Sequence, residues 1–402
     1  MNDTVRPAPL KGRKVLDLSR VLAGPWATMI LGDLGADVIK IERPGTGDDT
    51  RHWGPPFTGG EAAYYLCANR NKRSLALDIA TVEGQEILRK LASGADVVVE
   101  NFRTGALARY GLDYAALREV NPRIVYCSIT GYGHDSHEAE RAGYDYVVQA
   151  EGGLMAITGP VEGPPMKVGV AVTDLFTGMA AAQAILAALI AVDRDGEGQH
   201  IDMALIDGQL AMLANVGSAA LVEGSEPERW GNAHPTIVPY ELFDCADAAI
   251  VLTVGNDRQF RALCVDVLQR PEWLEDGRFV TNADRVAHRE VLVPLIAAVL
   301  AGKRADDWLS LLANSGVPAG KVRGVHEALS HPTARAREMV RASTHPTIPD
   351  LELVASPLKL TQTPVEWNRA PPLLGEHGEE ILRELGRTDR EIAALRARGV
   401  IG

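Results

Sequence analysis

The sequence lacks the usual marks of metal, redox and hydrolytic chemistry. Its four cysteines, Cys67, Cys127, Cys245 and Cys264, lie far apart and form no CxxC pair. That argues against a disulfide framework and a zinc site, and suits a reducing compartment. The ten histidines are scattered, His134 and His137 being the nearest pair, and neither HExxH nor GxSxG occurs. No GxGxxG follows the first strand-like run, so the nicotinamide fingerprint is missing too. Net positive charge is also absent: the formal balance of −12 disfavours a nucleic-acid partner, while leaving room for a small anion held by a few convergent arginines. No uncharged apolar run reaches the roughly 18 residues that a membrane span needs. The longest candidate, Gly178–Val192, is Ala-rich, ends in Asp-Arg-Asp and reads as a buried helix. The first residues, Met1 to Lys14, are polar and hold two prolines, unlike a signal peptide. A cytoplasmic protein with no membrane partner is the expectation.

What is present is an ordinary globular composition, 46% hydrophobic and 23% charged, over 402 residues, which suits two domains. Up to about residue 200, short apolar runs alternate with helical patterns. Val15–Leu18 reads as a strand, and Gly24-Pro25 opens a helix that Gly35 closes, Pro being suited to a first turn where its missing N–H is no loss. Strands follow at Asp37–Glu42, Asp96–Glu100 and Arg123–Ile129, separated by helices at 82–92 and 113–119. This alternation predicts an α/β fold with a mostly parallel, Rossmann-like sheet. Helices are then predicted over Ala180–Ala191 and Met203–Leu221, with a polar linker at Glu223–Arg229. The stretch 230–330 reads as a smaller α+β domain, with strands Tyr240–Phe243 and Ala249–Val254 and helices at 258–268, 291–300 and 305–315. A strand at Leu351–Ala355 and a final helix at 376–385 would return to the first domain. The division is thus 1–222 and 331–402 for a large domain and 223–330 for a small one.

Asp174 attracts notice because an apolar run, Val168-Gly-Val-Ala-Val-Thr, meets a carboxylate just before the Ala-rich helix. Buried aspartate is uncommon, since desolvating its charge is costly without partners. Asp is also a favoured N-cap, and spacing alone supports that role at least as well. Arg43, Arg73, Arg109 and Arg141 follow strands or lie in loops, on the side where open α/β sheets bind ligands. Each alone reads as a surface charge, and their convergence would make an anion site. Glu42 ends the second strand, where dinucleotide folds carry a ribose-binding acid, but the glycines that give that position meaning are missing.

Long ordered stretches resemble the family III CoA-transferases, the group that includes formyl-CoA transferase and the carnitine CoA-transferase. They run from VLDLSRVLAGPWATMILGDLGADVIKIE through NKRSLALDI, VVVENFRTGALARYGL, NPRIVYCSITGYG, AGYDYVVQAEGGLM, VTDLFTGMAAAQAILAAL and GEGQHIDMALID to APPLLGEHGEEIL, nearly the whole chain. The resemblance puts the family's nucleophilic aspartate on Asp174. It implies that CoA, as a substrate and not a permanent cofactor, is held by Leu22, Ala23, Arg43, Leu77, Asn101, Phe102, Arg109 and Tyr110, with Arg141 a looser match. It also implies a homodimer whose two ring-like chains interlock. Racemases on the same fold pair the equivalent aspartate with a histidine in Gly-His-Asp. This chain has Gly143-Tyr-Asp145, and a tyrosine with an unperturbed pKa near ~10 is a poor proton acceptor at neutral pH. A non-catalytic CoA-binding protein would be expected to lack an acid at position 174. Within the family, Gly231–Tyr240 (GNAHPTIVPY), Val168–Gly178 and Val254–Phe260 look like the succinyl-CoA:glutarate type, and relatives acting on malate, citramalate or itaconate look similar. A dicarboxylate needs a second cation, for which Arg51, Arg73 or His234 are candidates.

Overall fold

The computed structural model describes residues 6–402, which cluster into two compact units. The first comprises residues up to Leu154, Lys167–Gly224 and Thr333–Gly402; the second comprises Met155–Met166 and Ser225–Pro332. Residues 155–166, within the 1–222 stretch of the sequence division, thus cluster with the second unit.

The first unit is built on six parallel strands: β1 (Lys14–Asp17), β2 (Asp37–Glu42), β3 (Lys72–Ala76), β4 (Val97–Glu100), β5 (Val125–Thr130) and β6 (His200–Ala204). Their spatial order is β3-β2-β1-β4-β5-β6, so the order reverses between β1 and β4 and opens a crevice at their carboxyl ends. Apolar clusters cover both faces. One holds Leu16, Ile39, Leu75, Ile87 and Leu117, and the other holds Val15, Val38, Val97, Val125 and Ile185. Adjacent strand residues such as Val15 and Leu16 enter opposite clusters, as the two-residue period of a strand requires.

Helix α1 (Ala23–Asp33) follows β1, with Pro25 in its first turn. Gly24 is required there, because a Cβ would lie 2.3 Å from the Ser19 side chain. Helices α2 (Val82–Ala92) and α3 (Tyr114–Val120) start at Thr81 and Asp113, whose side chains accept from Gly84 and Ala116 N–H groups. Helix α4 (Asp145–Glu151) precedes the long α5 (Val172–Asp195). By length and composition α5 is apolar enough to cross a membrane, yet its buried face (Ala181, Ala182, Ile185, Leu189, Val192) belongs to the core beneath the sheet. Gly178 lets α5 pack closely on α1: a Cβ would come 2.5 Å from the Ala23 carbonyl oxygen.

Several expectations change. The sheet has two more strands than the pattern predicts, β3 and β6. The stretch 203–221 is not one helix: its start belongs to β6, and α6 (Leu205–Met212) and α7 (Ala214–Glu223) meet at a 78° bend. In the second unit, strands β7 (Tyr240–Asp244), β8 (Ala249–Thr253) and β9 (Ala319–Lys321) form an antiparallel sheet in the order β9-β8-β7. The predicted 258–268 helix divides into α8 (Asp257–Ala262) and a π-helical turn, Leu263–Val267; α9 (Arg289–Leu300) and α10 (Ala305–Asn314) follow. The carboxyl-terminal part of the first unit adds the hairpin β10 (Val340–Ser343) and β11 (Leu351–Val354), then α11 (Gly378–Glu384). That helix is not the last: α12 (Asp389–Ala397) follows, started by a Thr388/Glu391 capping box.

Candidate active site

The crevice at the carboxyl ends of β1 and β4 is framed by two tied loops. Asn101, just past β4, accepts from the Arg20 N–H (2.8 Å) and donates to the Arg20 carbonyl (2.7 Å). Next to it, Val21 has φ 69°, a strained value for a β-branched residue, and its N–H donates to Asp48 Oδ1 at 3.2 Å. This turn rests on a buried charge network. Lys72 Nζ lies 2.9 Å from Asp17, and Lys40 Nζ lies 2.9 Å from both Asp48 and the Ser19 carbonyl. Thr28 donates to Asp17 at 2.7 Å, and Ser19 donates to it as well.

The turn lines a cleft of ≈ 540 Å³ whose walls include Leu22, Ala23, Asn101, Arg141, Tyr144 and Asp174. Asp174 is 9% exposed and sits in the first turn of α5, after Val172 and Thr173. It does not cap the helix. Asp145, the first residue of α4, accepts from the N–H groups of Thr173 (2.8 Å) and Asp174 (3.3 Å), so the cap comes from 29 residues away. The Asp174 carboxylate is thereby left for the cleft. Burial, with the Asp145 charge adding to it, pushes its pKa up to about 7. The half-buried Tyr64 is raised to about 12 by burial first and by the Asp174 charge next. In the wall of this cleft, Gly131 and Gly143 meet backbone to backbone: a Cβ on Gly143 would come 2.4 Å from the Gly131 Cα.

A second cleft, of ≈ 300 Å³, lies at the carboxyl ends of β2 and β3, lined by Arg43, Leu77, Phe102, Arg109 and Tyr110. Arg20, Asp49 and Phe102 line both clefts, which therefore adjoin. Arg43 and Arg109 have no acidic partner among the described residues, and Arg109 lies over the Tyr110 ring, 4.5 Å from its centroid. One wall thus carries unneutralised cations, and the adjoining space ends at a buried, desolvated carboxylate. Such an arrangement suits an anionic carrier bearing an activated acyl group.

The pattern of CoA-transferase family III matches residues 10–378. The chain belongs to CoA-transferase family III. It is 48% identical to the succinate–glutarate CoA-transferase of Agrobacterium fabrum, over 96% of this chain and 98% of that one. It is 44% identical to the human succinyl-CoA:glutarate CoA-transferase, over 98% of this chain and 90% of the relative. The crystal structure of a CAIB/BAIF family protein from Brucella suis superposes with a TM-score of 0.87 at 44% identity, covering 94% of this chain and 100% of that one.

The residues that the family III resemblance singles out fall into these two clefts. Leu22, Ala23, Asn101, Arg141 and Asp174 line the larger, Arg43, Leu77, Arg109 and Tyr110 the smaller, and Phe102 both. Arg141 is committed to Glu138 (2.6 Å) and Glu151 (2.7 Å). Two cations considered for a second carboxylate are engaged elsewhere. Arg51 is buried, bound to Glu42 at 2.8 Å and Glu61 at 2.9 Å, which also removes Glu42 from any ribose-binding role. Arg73 faces Asp37, Glu380 and Glu384 in a different cavity, lined also by Lys11 and Lys14 near the amino-terminal ends of β1 and β2. His234 lies in the second unit, where its ring bonds the Thr236 N–H. Sequence reasoning missed Arg20 and Tyr64, neither of which has a local signal that separates it from an ordinary loop or helix residue, and it met Asp145 only within Gly143-Tyr-Asp145, without its capping role.

Proposed function

We propose that this chain moves CoA from succinyl-CoA to glutarate through covalent intermediates on Asp174. The observation that carries the reading is the buried Asp174 carboxylate, without a counter-cation, at one end of paired clefts whose other end holds the unpaired Arg43 and Arg109. The succinate–glutarate relatives supply the acids. Arg43 and Arg109 hold the CoA phosphates. Leu77, Phe102 and Tyr110 give apolar surface to the nucleotide and pantetheine, and Leu22, Ala23 and Asn101 guide the thioester to Asp174.

The ionised Asp174 attacks the thioester carbonyl and forms a mixed anhydride as CoA leaves as thiolate. The thiolate attacks the aspartyl carbonyl, giving an aspartyl-CoA thioester and free succinate. Glutarate attacks that thioester, giving a second anhydride and thiolate again. Attack of the thiolate on the glutaryl carbonyl then releases glutaryl-CoA and restores Asp174. One thioester replaces another, so ATP has no part to play. Desolvation that lifts the Asp174 pKa also makes its ionised form a stronger nucleophile.

The working form is a cytoplasmic homodimer, in the interlocked arrangement that the family resemblance implies. Leu221 (89% exposed) and Val222 (86%) on α7 support a covered apolar surface, and four free cysteines suit a reducing compartment. The test supplies succinyl-CoA with glutarate, malate, itaconate, oxalate, acetate or carnitine, and identifies the new CoA ester by mass spectrometry. Glutaryl-CoA as the main product is expected. Oxalyl-CoA alone would defeat the substrate assignment. No ester at all, with deuterium entering the α-carbon of a 2-methylacyl-CoA, would replace transfer by racemisation.

A further inference from the structure

We infer that Arg103 selects dicarboxylic substrates by holding the far carboxylate while Asp174 acts at the near one, an inference that rests on the transferase reading above. Three arginines line the Asp174 cleft: Arg20, Arg103 and Arg141. Arg20 is neutralised by Asp49 at 2.9 Å, and Arg141 by Glu138 and Glu151. Arg103 is exposed and forms no ion pair or side-chain hydrogen bond among the described residues. The remaining charges on this wall, Asp49 and Asp174, are negative, so a second carboxylate entering the cleft meets repulsion unless a free cation receives it. A planar guanidinium matches a carboxylate with two parallel hydrogen bonds.

The backbone around Arg103 is anchored while its side chain is not. The preceding Phe102 N–H donates to Glu100 Oε2 at 2.7 Å, the Arg103 carbonyl accepts from Ala106 at 2.9 Å, and the following Thr104 hydroxyl donates to the Ala139 carbonyl at 2.9 Å. The turn thus fixes where Arg103 stands at the cleft, and binding has to order only its side chain. The smaller cleft has unpaired cations of its own, Arg43 and Arg109, but neither lines the cleft holding Asp174. A monocarboxylic acyl group would leave Arg103 without a partner, so the site favours the dicarboxylate.

The test compares kcat/KM for glutarate and for butyrate, each with succinyl-CoA and with acetyl-CoA as donor, in wild type, Arg103→Ala and Arg103→Lys. Loss of a charge-assisted contact should lower the glutarate-to-butyrate ratio roughly tenfold to a hundredfold in Arg103→Ala, with partial recovery in Arg103→Lys. The KM for succinyl-CoA should rise more than that for acetyl-CoA. An unchanged ratio in a folded, active Arg103→Ala protein would overturn the inference and leave the transferase reading standing. Equal rises in KM for both donors would overturn it too, by assigning Arg103 to CoA itself. A wild type that forms neither glutaryl-CoA nor butyryl-CoA from either donor would instead fail the transferase reading.

Discussion

Two buried aspartates of the first unit meet opposite fates. Burial pushes the carboxyl pKa of both upward. At Asp17 the charges of Lys72 and Lys40, with hydroxyls from Ser19 and Thr28, outweigh burial and hold the group ionised far below the usual carboxylate range. At Asp174 no cation among the described residues answers; Asp145 adds a like charge, and the pKa rises to about 7. The difference separates a carboxylate that serves the scaffold from one available for chemistry. The two are linked through the turn after β1: Asp17 helps to fix Ser19 and Thr28, and the turn they support lines the cleft in which Asp174 lies.

Exchanging the two residues' fates is the strongest way to break this contrast. Asp174→Ala should fold and lose essentially all transfer activity. Asp17→Ala should instead fail on stability, losing about 3–5 kcal/mol by leaving the buried Lys72 without its counter-ion, which urea denaturation would measure. An Asp17→Ala protein as stable as wild type would end the scaffold assignment. At the far end of the paired clefts, Arg109→Ala should raise the KM for acyl-CoA roughly tenfold to a hundredfold and change that for the free acid little. An unchanged KM would return Arg109 to the status of a surface charge.

The smallest effects come from pH. With its pKa raised to about 7, Asp174 is protonated, and so unable to attack, as pH falls below that value; kcat/KM should drop about tenfold per unit under pH 7. The stability effect has the opposite sense. The folded protein binds this proton more tightly than the unfolded chain, whose carboxyl titrates near 3.8, so folding is penalised as pH rises from 3.8 to 7. Asp174→Asn should therefore raise Tm by roughly 1–2 °C at pH 8 for each kcal/mol removed, and the gain should fade towards pH 4. A flat Tm difference across that range would deny that the carboxylate is buried without compensation.

The parts legible in the sequence were those governed by local pattern. Asp37–Glu42 and the 82–92 helix stand where period and caps put them. Strand β3 was hidden because Lys72, Arg73 and Ser74 are polar, and their burial depends on Asp17, Asp37 and Glu42, distant in sequence. His200 and Asp202 disguised β6 in the same way. Helix α12 is polar over most of its surface, so no apolar stripe marks it, and its one local signal is the Thr388/Glu391 capping box. At the site, spacing made Asp174 resemble an N-cap. Only the fold shows that Asp145 takes that role, since no local pattern links residues 29 positions apart.

The central claim, that Asp174 becomes acylated and then carries CoA, is tested most directly by trapping it. Wild-type protein incubated with succinyl-CoA and digested under acidic conditions should give the peptide containing Asp174 with the mass of an aspartyl-CoA thioester, and hydroxylamine should convert that residue to a hydroxamate. Glutarate added before digestion should clear the adduct and yield glutaryl-CoA. An adduct on another residue, or full turnover by a protein whose Asp174 stays unmodified under the same conditions, would contradict the account.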